Sequence, residues 1–196
     1  MNAQQNTHPY PLILASASER RRKILTELGV VFQGVVTHVE EDEGRAEPER
    51  ACRTNALRKL NACRVRYPDH SIIAADTVIE CDGIGIHKPA DLNEARDFFR
   101  MFSGKTHRVL TATALFSPRT AEPETHLDSS SVTFRTLDDA RIRAYFSHVD
   151  PLDKAGAYDI GQCADLIVES FQGSATNIMG LPVETLRPWL VKEGWL

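Results

Sequence analysis

The stretch Leu12-Ile13-Leu14-Ala15-Ser16-Ala17-Ser18-Glu19-Arg20-Arg21-Arg22 changes character along its length, from apolar residues to small hydroxyls and then to charge. Leu12, Ile13 and Leu14 have the length and apolarity of a buried strand. Ser18 suits an N-cap, and the helix it opens is expected to run through Leu28 and stop at Gly29. A strand that passes into a helix through small residues is a building unit of α/β proteins. It also leaves the first amide N–H groups of the helix unpaired, and these, with the helix dipole, attract an anion. Ser16, Ser18, Arg20 and Arg21 stand at that point, and a guanidinium fork engages two phosphate oxygens at once. A plain cap followed by a solvated basic face reads these residues equally well.

Working outward, short apolar runs alternate with segments of helical period, the pattern of a mixed α/β or α+β protein. Val30 to Val36 reads as a strand leading into the acidic cluster Glu40-Glu41-Asp42-Glu43. A helix from Pro48 to Tyr67 places Cys52, Ala56, Leu60 and Cys63 on one face and ends before Pro68. Ile72 to Cys81 is a strand interrupted by Asp76 and followed by an Asp82-Gly83 turn. Asn93 to Phe102 is helical. Val109 to Phe116 and Ser130 to Arg135 are expected to pair around a polar loop, Pro118 to Thr125. A helix from Asp138 to His148 and a glycine-rich stretch, Gly156 to Gly161, precede a last strand, Leu166 to Phe171. Pro182 to Glu193 closes the chain as a helix that Pro188 should kink or divide.

The composition excludes several classes. Apolar residues at 42% and charged residues at 26% are those of a globular protein, and the chain of 196 residues is long enough to bury a core without staples. A net charge of −4 gives no general attraction to nucleic acid or to an anionic membrane. No apolar run is long enough to span a bilayer. Cys52, Cys63, Cys81 and Cys163 form no CxxC pair, which argues against a zinc site or a disulfide framework and for buried free thiols. Residues 1–10 are polar and carry no secretory signal pattern; they are expected to be a flexible tail ahead of one domain over 11–196. A reducing cytoplasm is the expected compartment.

Four further residues bear on chemistry. Asp76 sits in Ile72-Ile73-Ala74-Ala75-Asp76-Thr77-Val78-Ile79, where a carboxylate is costly unless it is paired, hydrogen-bonded or bound to metal. It is a functional candidate on that ground, with a structural Asp at a bulge as the alternative. Glu41 offers a second carboxylate, which a divalent ion wants beside phosphate oxygens, whereas Asp42 and Glu43 read as solvated. Lys88 is held extended before Pro89. Lys59 lies one position from the apolar stripe of its helix, within reach of a cleft. Ser103-Gly104-Lys105-Thr106 resembles half of a phosphate loop but follows a helix, so it reads as a helix-to-strand turn.

Taken together, these residues resemble the Maf family of nucleoside triphosphate pyrophosphatases. The matching pieces run in order from Leu14-Ala15-Ser16-Ala17-Ser18-Glu19-Arg20-Arg21 through Val39-Glu40-Glu41, Lys59, Ala75-Asp76-Thr77 and Lys88-Pro89. They continue with Ser103-Gly104-Lys105-Thr106-His107-Arg108-Val109, Val132-Thr133-Phe134-Arg135, Asp153-Lys154-Ala155-Gly156-Ala157-Tyr158 and Gly180-Leu181-Pro182. Each piece is short and unspecific; their shared order over nearly the whole chain is specific.

The resemblance implies an elongated mixed sheet flanked by helices, similar to the inosine triphosphate pyrophosphatases, with two lobes and a central cleft. It implies hydrolysis of a nucleoside triphosphate to the monophosphate and pyrophosphate with a divalent metal, Mg or Mn, and a homodimer. Asp76, Lys88 and Lys59 then look catalytic, Glu41 and Asp76 metal-binding, and Ser16, Ser18, Arg20, Arg21, Thr77 and Gln162 substrate-binding. Arg20 and Thr77 are similar to the branch acting on dTTP and UTP; the 7-methyl-GTP branch carries Trp and Gln there. Three positions depart from the family pattern. Glu19 stands for a usual Pro, Asp159 for a usual Gly, and Gly161-Gln162 reverses the usual order, which moves the base-contacting amide by one position. Two other readings stay open: a hydrolase of modified or other non-canonical triphosphates, and a non-catalytic nucleotide-binding regulator of cell division.

Overall fold

A computed structural model describes residues 11–196; the expected tail, 1–10, lies outside the described residues. The strand-to-helix unit forms as expected. β1 (Leu12–Ala15) is fully buried, and α1 (Glu19–Glu27) is capped by the Ser18 hydroxyl, which accepts from the Arg21 amide. β2 (Gln33–Val35) and α2 (Pro48–Arg66) follow, then β3 (Ser71–Cys81) and β4 (Ile84–Ile86). α3 (Leu92–Phe102) leads into β5 (Thr106–Phe116) and β6 (Glu124–Phe134). The chain finishes with α4 (Asp139–Phe146), β7 (Val168–Gln172), α5 (Ala175–Ile178) and α6 (Val183–Glu193).

The strands make one mixed sheet in the order β2-β1-β3-β5-β6-β7, with β4 paired to β3. β1 is parallel to both β2 and β3, and the pairings beyond β3 are antiparallel. Because β2 and β3 flank β1 on opposite sides, right-handed connections carry α1 and α2 to opposite faces. Ile24 and Leu25 of α1 pack with Leu14, Ile73 and Ala75, joined by Leu186, Trp189 and Leu190 of α6. Cys52, Ala56, Leu60 and Cys63 of α2 pack on Ile13, Ile72 and Ala74 from the other face. The divergence of the chain at β1 leaves a crevice at the carboxyl ends of the parallel strands, where open α/β sheets bind ligands.

β3, β5 and β6 each run 11 residues, about twice the usual strand length, so they extend past this helix-covered region into a second core. There Ile79, Cys81, Val109 and Phe134 meet Phe99 and Phe102 of α3 and Tyr145 of α4. Asp76 and Thr77 fall where the two cores meet.

Several expectations are corrected. The Asp82-Gly83 turn forms as expected, but it closes a hairpin onto an additional short strand, β4. β6 begins at Glu124 rather than Ser130, because its polar first half still satisfies its backbone by pairing with β5, as in His126 with Thr113. The expected strand before the acidic cluster shrinks to three residues, β2. Pro188 lies inside α6 without dividing it; Leu186, Trp189 and Leu190, all buried, hold both sides of the missing N–H in place. Three cysteines are buried free thiols, but Cys163 is exposed.

His107 on β5 is 2% exposed, stacked on Phe102 at 4.5 Å, with its Nε2 2.9 Å from the Tyr158 hydroxyl. Burial lowers its pKa from 6.5 to about 4. The folded state therefore binds fewer protons than the unfolded chain between these values, and stability is fully present above pH 6.5 and falls as pH drops toward 4. Urea unfolding followed from pH 7 to pH 4.5 should show a loss of about 2 kcal/mol from this group, and His107→Phe should remove that part of the slope.

Candidate active site

Asp76 is 6% exposed at the middle of β3, and its side chain points to the α2 face. The strand alternates Ile72, Ala74 and Val78 on that face with Ile73, Ala75 and Ile79 on the other, so the carboxylate meets α2. Lys59 Nζ lies 2.6 Å from Asp76 Oδ1 and 2.9 Å from Glu41 Oε2. Asn55, one helical turn before Lys59, donates to Asp76 Oδ2 at 3.1 Å. Its amide also exchanges two hydrogen bonds of 2.8 Å with the backbone of Asp42, which fixes the acidic segment over α2 and so places Glu41. Asn55 is 2% exposed and is not among the residues expected from the sequence. The signal was present: Cys52, Asn55, Ala56, Lys59, Leu60 and Cys63 form one helical stripe, and two polar residues within it, four apart, point to a shared partner.

Thr77 projects to the opposite face, where it meets Arg21. Arg21 is 8% exposed, and its fork is spent inside the protein. It donates to the Gly180 carbonyl at 2.7 Å, the Ala75 carbonyl at 2.8 Å, Thr77 Oγ1 at 3.0 Å and Ser16 Oγ at 3.1 Å. Burial lowers its pKa, with the Asp76 charge acting the other way. Gly180, at φ +97°, approaches so closely that a Cβ there would lie 3.0 Å from Thr77 Oγ1 and 3.3 Å from Arg21 Nε. The geometry thus gives Arg21 a tethering role, joining the β1-α1 turn, β3 and the loop before α6.

Both systems open on one cavity of about 670 Å³. It is lined by Ser16, Ser18, Arg20, Arg21, Glu41, Lys59, Asp76, Thr77, Lys88 and Gln162, so every site residue named from the sequence reaches it. The first turn of α1 faces it, and the amides of Glu19 and Arg20 have no acceptor within the helix. Glu19 is 88% exposed and lies 3.4 Å from Arg22. Lys88 is exposed at the rim, and its ammonium has no ion-pair partner among the described residues. Lys154 also lines the cavity but is engaged by the Asp153 carboxylate and by the Asp150 carbonyl at 2.9 Å. Arg20 lies 3.5 Å from the buried Asp159 carboxylate. No group of three or more His, Cys, Asp or Glu side chains that could hold a metal occurs among the described residues. Nor is any helix among them long and apolar enough to cross a membrane.

The mixed sheet flanked by helices is a fold shared with the Ham1 protein of Staphylococcus aureus. That structure matches over 93% of this chain and 99% of its own, with a TM-score of 0.56 and 13% identity. The sequence narrows the class further: the chain belongs to the Maf family, whose model, described as Maf-like protein, matches residues 11–193. The dTTP/UTP pyrophosphatase of Akkermansia muciniphila is 40% identical over 94% of this chain and 97% of its own length. That of Aromatoleum aromaticum is 41% identical over 88% and 90%.

Replacing Arg21 by Ala should lower the free energy of unfolding in urea by about 3 kcal/mol or more, because buried carbonyls lose their donors. An unchanged unfolding midpoint would show that these contacts carry no stability.

Proposed function

We propose that this protein is a nucleoside triphosphate pyrophosphatase that hydrolyses dTTP and UTP to the nucleoside monophosphate and pyrophosphate. The observation that carries the reading is the Asp76–Lys59–Glu41 cluster beside the N-terminus of α1, in a cavity large enough for a nucleotide. The choice of dTTP and UTP rests on the likeness to the dTTP/UTP pyrophosphatases of Akkermansia muciniphila and Aromatoleum aromaticum.

In this reading the phosphates lie along the free amides of the first turn of α1 and the Ser16 and Ser18 hydroxyls, with Lys88 closing from the rim. Water adds to the α-phosphorus, the bond from that phosphorus to the α–β bridging oxygen breaks, and pyrophosphate leaves with the electron pair. Asp76 orients the water and accepts its proton. Lys59 and Lys88 offset the charge that grows on the departing pyrophosphate. Lys59 also keeps Asp76 aligned, since the ammonium and Asn55 each hold one carboxylate oxygen.

Glu41 and Asp76 suit a magnesium or manganese ion of the kind that binds one or two carboxylates and completes its shell with water and substrate phosphates. The hard oxygen donors of these two carboxylates fit that type of ion. When bound, it would supply Lewis-acid charge to the phosphates. The reading places the enzyme in the cytoplasm, as a homodimer.

Asp76→Asn should leave the protein folded while turnover drops at least ~100-fold; near-native turnover would remove Asp76 from the mechanism. Across a panel of nucleoside triphosphates with Mg or Mn, pyrophosphate release is expected, fastest for dTTP and UTP, and chelation should abolish it. Release of orthophosphate instead would exclude the pyrophosphatase reaction.

A further inference from the structure

We infer that Asp159 is a positioning residue that sets Arg20 and Gln162 against the edge of the substrate's pyrimidine base, an inference that rests on the dTTP and UTP reading above. Asp159 is 5% exposed, and a buried carboxylate is tolerated only with partners. Its backbone is clamped from the core. The Asp159 amide donates to the Tyr145 hydroxyl at 2.8 Å, and that hydroxyl lies 3.3 Å from the Asp159 carbonyl, while the Tyr145 ring is fully buried. The side chain therefore cannot follow its partners; they follow it. Oδ1 accepts from the Gly161 amide at 2.8 Å, and Oδ2 faces Gln162 Nε2 at 3.2 Å and Arg20 at 3.5 Å.

Two consequences follow from the chemistry of a carboxylate. It only accepts hydrogen bonds, so the NH₂ group of Gln162 must face it, and the amide oxygen of Gln162 is left as the acceptor to be offered elsewhere. It also offsets the charge of Arg20 and repels phosphate, so this wall of the cavity suits an uncharged part of the substrate. Arg20 retains further N–H donors on its fork. An acceptor beside a donor complements the edge of uracil or thymine, where an N3–H donor lies between two carbonyl acceptors. Cytosine shares the carbonyl at position 2 but carries an unprotonated N3 and an amino group in place of the carbonyl at position 4, so it mismatches the Gln162 acceptor, and a donor at position 4 as well.

The test compares kcat and KM for UTP and CTP, by pyrophosphate release, in the wild type, Asp159→Asn and Gln162→Glu. Asn preserves the shape and can still accept from Gly161, but it neither holds Arg20 by charge nor selects one orientation of the Gln162 amide. The ratio of kcat/KM for UTP over CTP is expected to fall about tenfold or more in Asp159→Asn, through KM, with kcat for UTP within about threefold of the wild type. Gln162→Glu, at an exposed position, sets a second carboxylate against Asp159 and should lower the ratio by a similar factor. A ratio unchanged in Asp159→Asn overturns the inference whatever Gln162→Glu does, as does an equal loss for the two nucleotides. If Asp159→Asn does not fold, Asp159→Ser, which also removes the charge that holds Arg20 and the acceptor facing Gln162 Nε2, takes its place with the same expected and overturning results. A wild type that cleaves neither UTP nor dTTP overturns the substrate reading and this inference with it. A wild type that cleaves them with a ratio the variants do not move overturns only the role of Asp159.

Discussion

A carboxylate in the interior of a central strand has to be compensated, and here the compensation is an ammonium 2.6 Å away on the helix that covers it. Lys59 and Asp76 are both nearly buried, so neither charge is solvated enough to stand alone. Breaking such a pair from one side costs about 3–5 kcal/mol. The register of α2 over β3 is therefore fixed by charge as well as by the apolar contacts of Cys52, Ala56 and Leu60. Asn55 extends the same constraint to the acidic segment, whose backbone it holds at Asp42. Two separate pieces of chain, α2 and the acidic segment, converge on one point of β3, and that convergence is the reactive centre of the proposed enzyme.

The opposite face of the strand is organised by a different group. Arg21 belongs to the first turn of α1, yet its contacts are carbonyls and hydroxyls of β3, of the β1-α1 turn and of Gly180. A planar fork with five donors is suited to this, because it joins several acceptors in one plane at once. The turn that presents free amides to the cavity is thus tied to the strand that presents Asp76. Preorganisation of this kind matters for phosphoryl chemistry, in which the protein contributes mainly by positioning charge.

The two cores divide the labour. α1, α2 and α6 sandwich the parallel end of the sheet and hold the site rigid from both faces. The aromatic core of Phe99, Phe102, Phe134 and Tyr145 supports the far wall, from which Asp159 and Gln162 face the cavity. Tyr145 links the two functions directly, since it is buried in that core and hydrogen-bonded to the Asp159 backbone.

How much of this could be read in the chain depends on the range of the interaction. The strand-to-helix unit at Leu12–Arg22, the α2 stripe and the isolation of Asp76 among apolar residues are local patterns, set by side-chain period and by the cost of burying charge, and they were legible. The resemblance of ordered motifs supplied the candidate residues, and all of them line one cavity. Short elements without a period, β4 and α5, were not legible, because tertiary pairing and capping alone make them stable. Nor was the division of labour between adjacent arginines. Arg20 and Arg21 are chemically identical, and only the fold turns Arg21 inward to Gly180, 159 positions away, while leaving Arg20 to Asp159. The sequence by itself determined which residue types would meet; the tertiary structure decided which donor faces which acceptor, because hydrogen bonds are directional and their partners here come from distant parts of the chain.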